Sequence, residues 1–250
     1  MESSLASRIL YCDASCVVVN KIAGEAVEGA GKGMTDLPKL LAAELSAPNY
    51  PPLSAGDALP LPTAVHRLDV PVSGCAAFAR TGAALRFLNT AFSGGGASSG
   101  VKKHYWAIVE LSSNALFSED AAESIELVDW IQFDPRRNKS IAHDQPGPGR
   151  KKAILRCCLA GRGQNYLFLE IELITGRHHQ IRAQFERVGL HIKGDLKYGA
   201  RRSEPAGGIR LHARSLSFPK TAGSDNRITV QADPPLRDNL WQAFAELYRT

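Results

Sequence analysis

The stretch YLFLEIELITGRHHQIRAQFERV, residues 166–188, changes its period in the middle. Residues 166–174 read as a strand. From Gly176 to Val188 the pattern turns helical, with Ile181, Phe185 and Val188 on one apolar stripe. Thr175 and Gly176 mark the junction. Upstream, strands are predicted at 125–133 and 152–159, and at Lys103–Leu111, where alternation puts Lys103, Tyr105, Ala107 and Val109 on one face. Further out, Ile9–Tyr11 and Cys16–Val19 read as a hairpin around Asp13-Ala14-Ser15, and Cys75–Ala79 as a short strand. Helices are expected from about Asp36 to Ser46, capped by Thr35 with Leu40 and Leu41 buried, from Gly82 to Phe92 on Leu85, Leu88 and Phe92, and at about 237–248 on Leu240, Trp241, Phe244 and Leu247. The proline-rich residues 47–63 read as an irregular loop, and SGGGASSG, 93–100, as a connector that cannot build a core. No internal repeat is present. Strands come in runs rather than alternating with helices. The expected class is therefore α+β, a mixed, mostly antiparallel sheet flanked by helices, in one domain over residues 1–250.

Composition narrows the function. The chain has 250 residues, 44% hydrophobic and 22% charged, which excludes a disordered chain, a coiled coil or a collagen-like repeat. No apolar run approaches the roughly 18 residues of a membrane-spanning helix, so no membrane role is expected. Five cysteines, an odd count without a C-x-x-C pair, argue against a secreted disulfide scaffold. The first ten residues lack the apolar core of a signal peptide. The expected compartment is the cytoplasm or an organelle such as the mitochondrion, not the exterior.

Formal charge is +5, but unevenly spread. Residues 101–220 hold 20 Lys and Arg against 13 Asp and Glu, while the other 130 hold 10 against 12. The excess sits in Lys102-Lys103, Arg136-Arg137-Asn138-Lys139, Arg150-Lys151-Lys152 and Arg201-Arg202. Such clusters suit a polyanion, whose counterions they would release, or simply a solvated face. The glycine-rich segment 25–35 invites a phosphate-loop reading, but Ala26 stands where that motif needs glycine and Gly33 where it needs Ser or Thr. A nucleotide site is rejected there.

Four segments carry candidate chemistry. His66-Arg67-Leu68-Asp69, ending at Ser73-Gly74, lies between the proline-rich loop and a strand, where a carboxylate can be rigid yet exposed. Asp69 could be nucleophile, base or turn residue. Tyr105, in Lys103–Val109, could pack in the core or stack on a planar ligand such as a base. Arg182, in Thr175–Arg182, could turn its head inward or pair with Glu186 one turn on. His178, His179 and His191 lack the spacing and companions of a metal site. Ile192–Gly199, with Gly194 and Gly199 at expected tight turns, and Leu211-His212-Ala213 are ordinary taken singly.

Together, in order, these segments resemble the RluA-type pseudouridine synthases. That family's pattern runs N-K-P-x-G, H-R-L-D-x-x-T-S-G, K-x-Y-x-A-x-V, T-G-R-x-H-Q-I-R, I-x-G-D-x-x-Y-G and L-H-A. The counterparts here are Asn20–Gly24, His66–Gly74, Lys103–Val109, Thr175–Arg182, Ile192–Gly199 and Leu211–Ala213, within a span of about 13–220. Ile22 replaces a proline, Val72 a threonine, and His191 stands where a proline usually precedes Ile-x-Gly-Asp. The first motif begins so early that the S4 RNA-binding domain of many relatives is expected to be absent.

The resemblance implies an isomerase that converts uridine to pseudouridine in rRNA or tRNA, redox-neutral and without a cofactor or metal. It implies Asp69 as catalytic carboxylate, Arg182 as its ion-pair partner and Tyr105 as the ring stacked on the base. Arg67, Arg177 and Leu211 are the expected RNA contacts, Arg67 filling the space the flipped base vacates and Leu211 walling the base. Ribosomal or assembly proteins are conceivable partners, and a monomer is expected. The alternative is a non-catalytic ribosome-assembly factor on the same fold.

Overall fold

A computed structural model describes residues 4–53, 56–94, 100–111, 117, 124–221, 226–235 and 238–247. In chain order the elements are α1 (Leu5–Arg8), β1 (Ile9–Cys12), β2 (Cys16–Lys21), β3 (Glu25–Ala26), β4 (Thr35–Asp36), α2 (Leu37–Glu44), β5 (Ala58–Ala64), β6 (Ser73–Thr81), α3 (Gly82–Ser93), β7 (Lys102–Glu110), β8 (Ser124–Asp134), β9 (Lys139–His143), β10 (Lys151–Arg162), β11 (Tyr166–Leu173), α4 (Gln180–Arg187), β12 (Leu211–Pro219), β13 (Arg227–Gln231) and α5 (Asn239–Glu246). The class is α+β, as the sequence predicts. Two compact units divide the chain: residues 1–102 with 213–235, and residues 103–212 with 236–250.

In the first unit the strand order is β1-β2-β6-β12, with β5 on β6 and β13 on β12. The β1–β2, β2–β6, β5–β6 and β12–β13 pairings are antiparallel. The β1–β2 hairpin closes on Asp13, whose Oδ1 accepts from the N–H of Ser15 at 2.8 Å and of Cys16 at 2.9 Å. That Asx turn is why a short polar triplet suffices between two apolar runs. Val17, Val18 and Val19 are fully buried, so β2 is covered on both faces. Helix α3 begins where Thr81 Oγ1 accepts from Ala84 N–H at 3.2 Å. It packs Leu88 against Val18, Ala77 and Phe218, with Leu85 and Phe92 at the cluster's margin.

Three expectations change in this unit. Asp36, not Thr35, caps α2, accepting from Lys39 N–H at 3.3 Å. The buried pair is consequently Leu37 and Leu41, one turn apart, and Leu40 is 41% exposed. The loop expected over 47–63 ends in strand β5, which carries Pro60 and Pro62. Its register slips between Ala58 and Thr63, where prolines without N–H groups drop out of the ladder. The strand expected at 75–79 extends over Ser73–Thr81. Residues 95–99 of the expected connector lie outside the described residues.

In the second unit the order is β7-β11-β10-β8-β9, with these pairings all antiparallel. Tyr105 to Val109 are all buried, since β7 is covered on both faces. Trp106 and Ile108 pack with Phe168 under α5, whose Trp241 and Phe244 face them. The Phe244 ring lies 4.5 Å from Trp106 and 5.4 Å from Phe168, spacings favourable to aromatic pairs. Asp238 caps α5, accepting from Trp241 N–H at 3.1 Å. On the other strands, α4 packs against β8 and β9. Strand β9 is an addition to the strands the sequence pattern predicts: it is five residues long, polar in part, and paired on β8. The helix expected from Gly176 starts at Gln180.

Candidate active site

In the first unit, Asp69 sits in the loop between β5 and β6. The loop is held from beneath by Lys21, at the end of β2, whose ammonium is closed off from solvent. Lys21 Nζ donates to the carbonyls of Val72 at 2.6 Å, Val70 at 3.0 Å, Ile22 at 3.1 Å and Asp69 at 3.3 Å. Burial pushes its pKa down to about 8, against the opposing pull of Glu25 and Asp69. Gly24 N–H donates to Val70 O at 2.9 Å and Val72 N–H to Asp69 O at 3.0 Å, so the loop's backbone is tied on both sides. Glu25 anchors the other side of Lys21. Its Oε2 accepts from Ile22 N–H at 2.9 Å, and its carboxylate takes a two-pronged contact from buried Arg8 at 2.8 and 2.9 Å. Ile22 thus uses an N–H that the proline of the family pattern lacks.

The rest of the motif is structural around that loop. His66 Nε2 accepts from Ala77 N–H at 3.1 Å, and its ring stacks on Phe92 at 5.0 Å. Gly74 has φ +115°, and a Cβ there would collide with the backbone of Ala213, so only glycine fits. Arg67 projects outward and pairs with Glu28 at 3.2 Å, both half or more exposed. Val72 is buried where the family pattern has threonine.

In the second unit, Tyr105 is buried on β7 opposite Ile171 of β11. Arg182 lies on α4 and is 5% exposed; Asp195, 1% exposed, grips it with two charge-assisted bonds, Nε to Oδ2 at 2.6 Å and Nη2 to Oδ1 at 2.8 Å. Its guanidinium also lies 4.7 Å from the centre of the Tyr198 ring. Glu186, the partner one turn along, instead takes Lys139 at 2.7 Å. Tyr198 is itself fixed: its hydroxyl donates to Ser140 O at 3.2 Å, accepts from Ser140 N–H at 2.9 Å and meets His179 Nδ1 at 2.8 Å. Gly194 and Gly199 have φ near +90°, as the expected turns require. His191, in the place of a family proline, bonds to Tyr198 O at 2.9 Å through Nδ1.

The start of α4 explains the shortened helix. Gln180 Oε1 accepts from Thr175 Oγ1 at 2.8 Å and Arg177 N–H at 2.9 Å. His179 then takes a left-handed conformation, φ +51°. These bonds close residues 175–179 into a loop and replace the first helical turn. His178 and His179 are therefore not on a helix: their rings stack at 3.7 Å. Arg177 is exposed, with Nε donating to Lys152 O at 2.9 Å. Leu211 is buried at the start of β12. Asp69 and Arg67 thus belong to the first unit, and Tyr105, Arg177, Arg182 and Leu211 to the second. Among the described residues, no three His, Cys, Asp or Glu side chains gather as metal ligands do.

Lys21, Asp195 and Tyr198 stand within the ordered motifs, but the sequence pattern assigns them no role. The partners that give them these roles, Val72, Arg182 and Ser140, lie 51, 13 and 58 residues away, so spacing alone could not reveal them.

The model of the RNA pseudouridylate synthase family matches residues 15–187, and the chain belongs to that family. An uncharacterized RNA pseudouridine synthase of Zymomonas mobilis is 31% identical over 244 residues, covering 97% of this chain and 98% of that protein. Ribosomal large subunit pseudouridine synthase D of Xylella fastidiosa is 30% identical over 253 residues, covering 96% and 69%. Among solved structures, human RNA pseudouridylate synthase domain containing 1 superposes with a TM-score of 0.66 at 20% identity, over 97% of this chain and 94% of that one. That likeness is one of fold.

Proposed function

We propose that the chain isomerises a uridine of structured RNA to pseudouridine with Asp69 as the catalytic carboxylate. The observation that carries this reading is the Asp69 loop, clamped through its carbonyls by Lys21 in a chain of the RNA pseudouridylate synthase family. A carboxylate on a fixed loop is pre-organised, and catalysis by position needs that.

The chemistry is balanced within the nucleotide. The N1–C1′ bond breaks, the uracil turns, and a C5–C1′ bond forms. The hydrogen on C5 leaves as a proton and N1 takes one up. No electrons enter or leave, so no oxidant or reductant is needed. Asp69 starts the reaction ionised, either attacking C1′ or removing a proton from the sugar. Arg182 supplies the positive charge of the site, with its plane set by Asp195. Tyr105 offers its ring to the base. Arg67, Arg177 and Leu211 hold the RNA around the extruded nucleotide.

The test is tritium release from C5-labelled uridine by the purified chain. Large-subunit rRNA is offered first, because the Xylella relative is named for it, then small-subunit rRNA and tRNA. Conversion by the parent with a loss of at least about 1000-fold in Asp69→Asn is expected. A mutant as fast as the parent would remove Asp69 from the chemistry. Tight RNA binding by a parent that converts none of these RNAs would select the assembly-factor alternative.

A further inference from the structure

Lys103 is the second residue of strand β7 and points, by alternation, to the same face as Tyr105 two residues on. It is half-buried. Among the described residues its ammonium has no hydrogen-bond or ion-pair partner. Burial alone lowers its pKa below the ordinary lysine range, with no carboxylate pulling the other way. An uncompensated, partly desolvated ammonium is costly to keep unless it has work to do.

Its surroundings are built for an anion. Lys103 Nζ stands 3.3 Å from where a Cβ on Gly176 would sit, so it abuts the loop between β11 and α4. Among the described residues the Gly176 N–H also has no partner. Arg177, next in sequence, commits only Nε to Lys152 O, leaving both terminal nitrogens of its fork, and it makes no ion pair among the described residues. Two unpaired cations and an unpaired backbone N–H therefore flank one glycine. A side chain at position 176 would press on the ammonium. The closure of the loop by Gln180 fixes this arrangement before any ligand arrives.

We propose that Lys103, the Gly176 N–H and Arg177 form a subsite for one phosphodiester group of the RNA, next to the nucleotide that Tyr105 receives. One non-bridging oxygen takes the ammonium and another the N–H and the guanidinium fork, the usual chemistry of phosphate recognition. This deepens the functional reading above and rests on it for the identity of the anion. The subsite sets the nucleotide's register along β7 and carries no base specificity of its own.

The experiment measures affinity for a uridine-containing RNA stem–loop across a salt series, for the parent, Lys103→Met and Lys103→Arg. Methionine keeps the stem's packing and removes the charge, and thermal melts of each variant verify folding. The expected result is a fall in the slope of log affinity against log salt by about 0.9 for Lys103→Met, the share of a single phosphate, with recovery in Lys103→Arg. A second arm replaces single phosphates by neutral methylphosphonates. One position should weaken the parent about tenfold and Lys103→Met clearly less, because Arg177 and the Gly176 N–H still face that phosphate. Equal slopes in parent and Lys103→Met, or methylphosphonate effects of the same size in both, would overturn the subsite. Competition by inorganic phosphate at constant ionic strength, abolished in Lys103→Met, would reassign the site to a free anion and overturn the RNA assignment. Pseudouridine is assayed in the same tubes. Its absence with the parent would count against the enzyme reading and leave the slope comparison standing.

Discussion

The Lys21 ammonium has three hydrogens and faces four carbonyls at 2.6 to 3.3 Å. Three of those carbonyls belong to the segment that carries Asp69, so a residue on β2 governs the loop of a residue 48 positions away. Lys21→Met fits the same space but leaves the carbonyls without a donor. The expected cost is about 2 to 4 kcal/mol in urea unfolding, with the rate of uridine conversion falling more than RNA affinity. Proton linkage supplies a second signature. The folded pKa, about 8, lies below the unfolded value of 10.5. Between those limits the unfolded chain binds the proton and the folded chain does not. The stability that Lys21 contributes therefore rises with pH through that window, by at most about 1.4 kcal/mol per unit, and is lowest below about pH 8. The difference in unfolding free energy between the parent and Lys21→Met, measured from pH 7 to 10, should climb accordingly. A flat difference would mean that the folded chain keeps its proton.

Among the elements, helix α5 shows how a terminal segment is fixed. Asp238 caps it and also receives buried Arg210, which bonds in turn to Glu204 at 2.7 Å; Lys193 reaches the same carboxylate at 2.5 Å. Asp238→Asn keeps a cap acceptor and removes the ion pair. Asp238→Ala removes both. The expected costs are about 1 to 2 and about 3 kcal/mol in chemical denaturation, with the near-ultraviolet signal of Trp241 altered most in the alanine variant. Elements like α5, α3 and the first hairpin are legible in the sequence because apolar residues recur at the right period and Asp or Thr stands at the start. Elements are hidden where particular side chains override the periodic pattern. Gln180 delays α4, and prolines mask β5 because an edge ladder tolerates their missing N–H groups. Strand β9 hides behind its charge, although Ser140 within it is fully buried under Tyr198. The candidate residues follow the same division. Asp69, Tyr105 and Arg182 stand out through ordered motifs, whereas the grips of Lys21 and Asp195 are tertiary and no pattern of spacing contains them.

Across the whole molecule the charge is lopsided, and the lopsidedness predicts where RNA lies. Residues 101–220 carry the whole basic excess, and the rest of the chain is slightly acidic. Several of these cations, including Arg136, Arg137, Lys151 and Lys152, are exposed on β10 or on the turn between β8 and β9. The turn's backbone is held there, since Asp134 Oδ1 accepts from the main-chain N–H groups of Arg136 and Arg137 at 2.9 and 3.3 Å. Each phosphate neutralised by such cations releases about one counterion. If four phosphates are engaged, affinity for a structured RNA should fall about 100-fold between about 50 and about 200 mM salt. Neutralising Arg136, Arg137, Lys151 and Lys152 to Gln should flatten that dependence by up to about 3.6 in slope. Neutralising Lys32 and Arg86, cations outside the basic span, should leave it near the parent value. The four Gln substitutions sit on the surface, so stability should stay within about 0.5 kcal/mol per site, and weakened affinity would report on the interface rather than on folding. Flattening by both sets in proportion to the charges removed would mean that net charge, not this surface, draws the RNA.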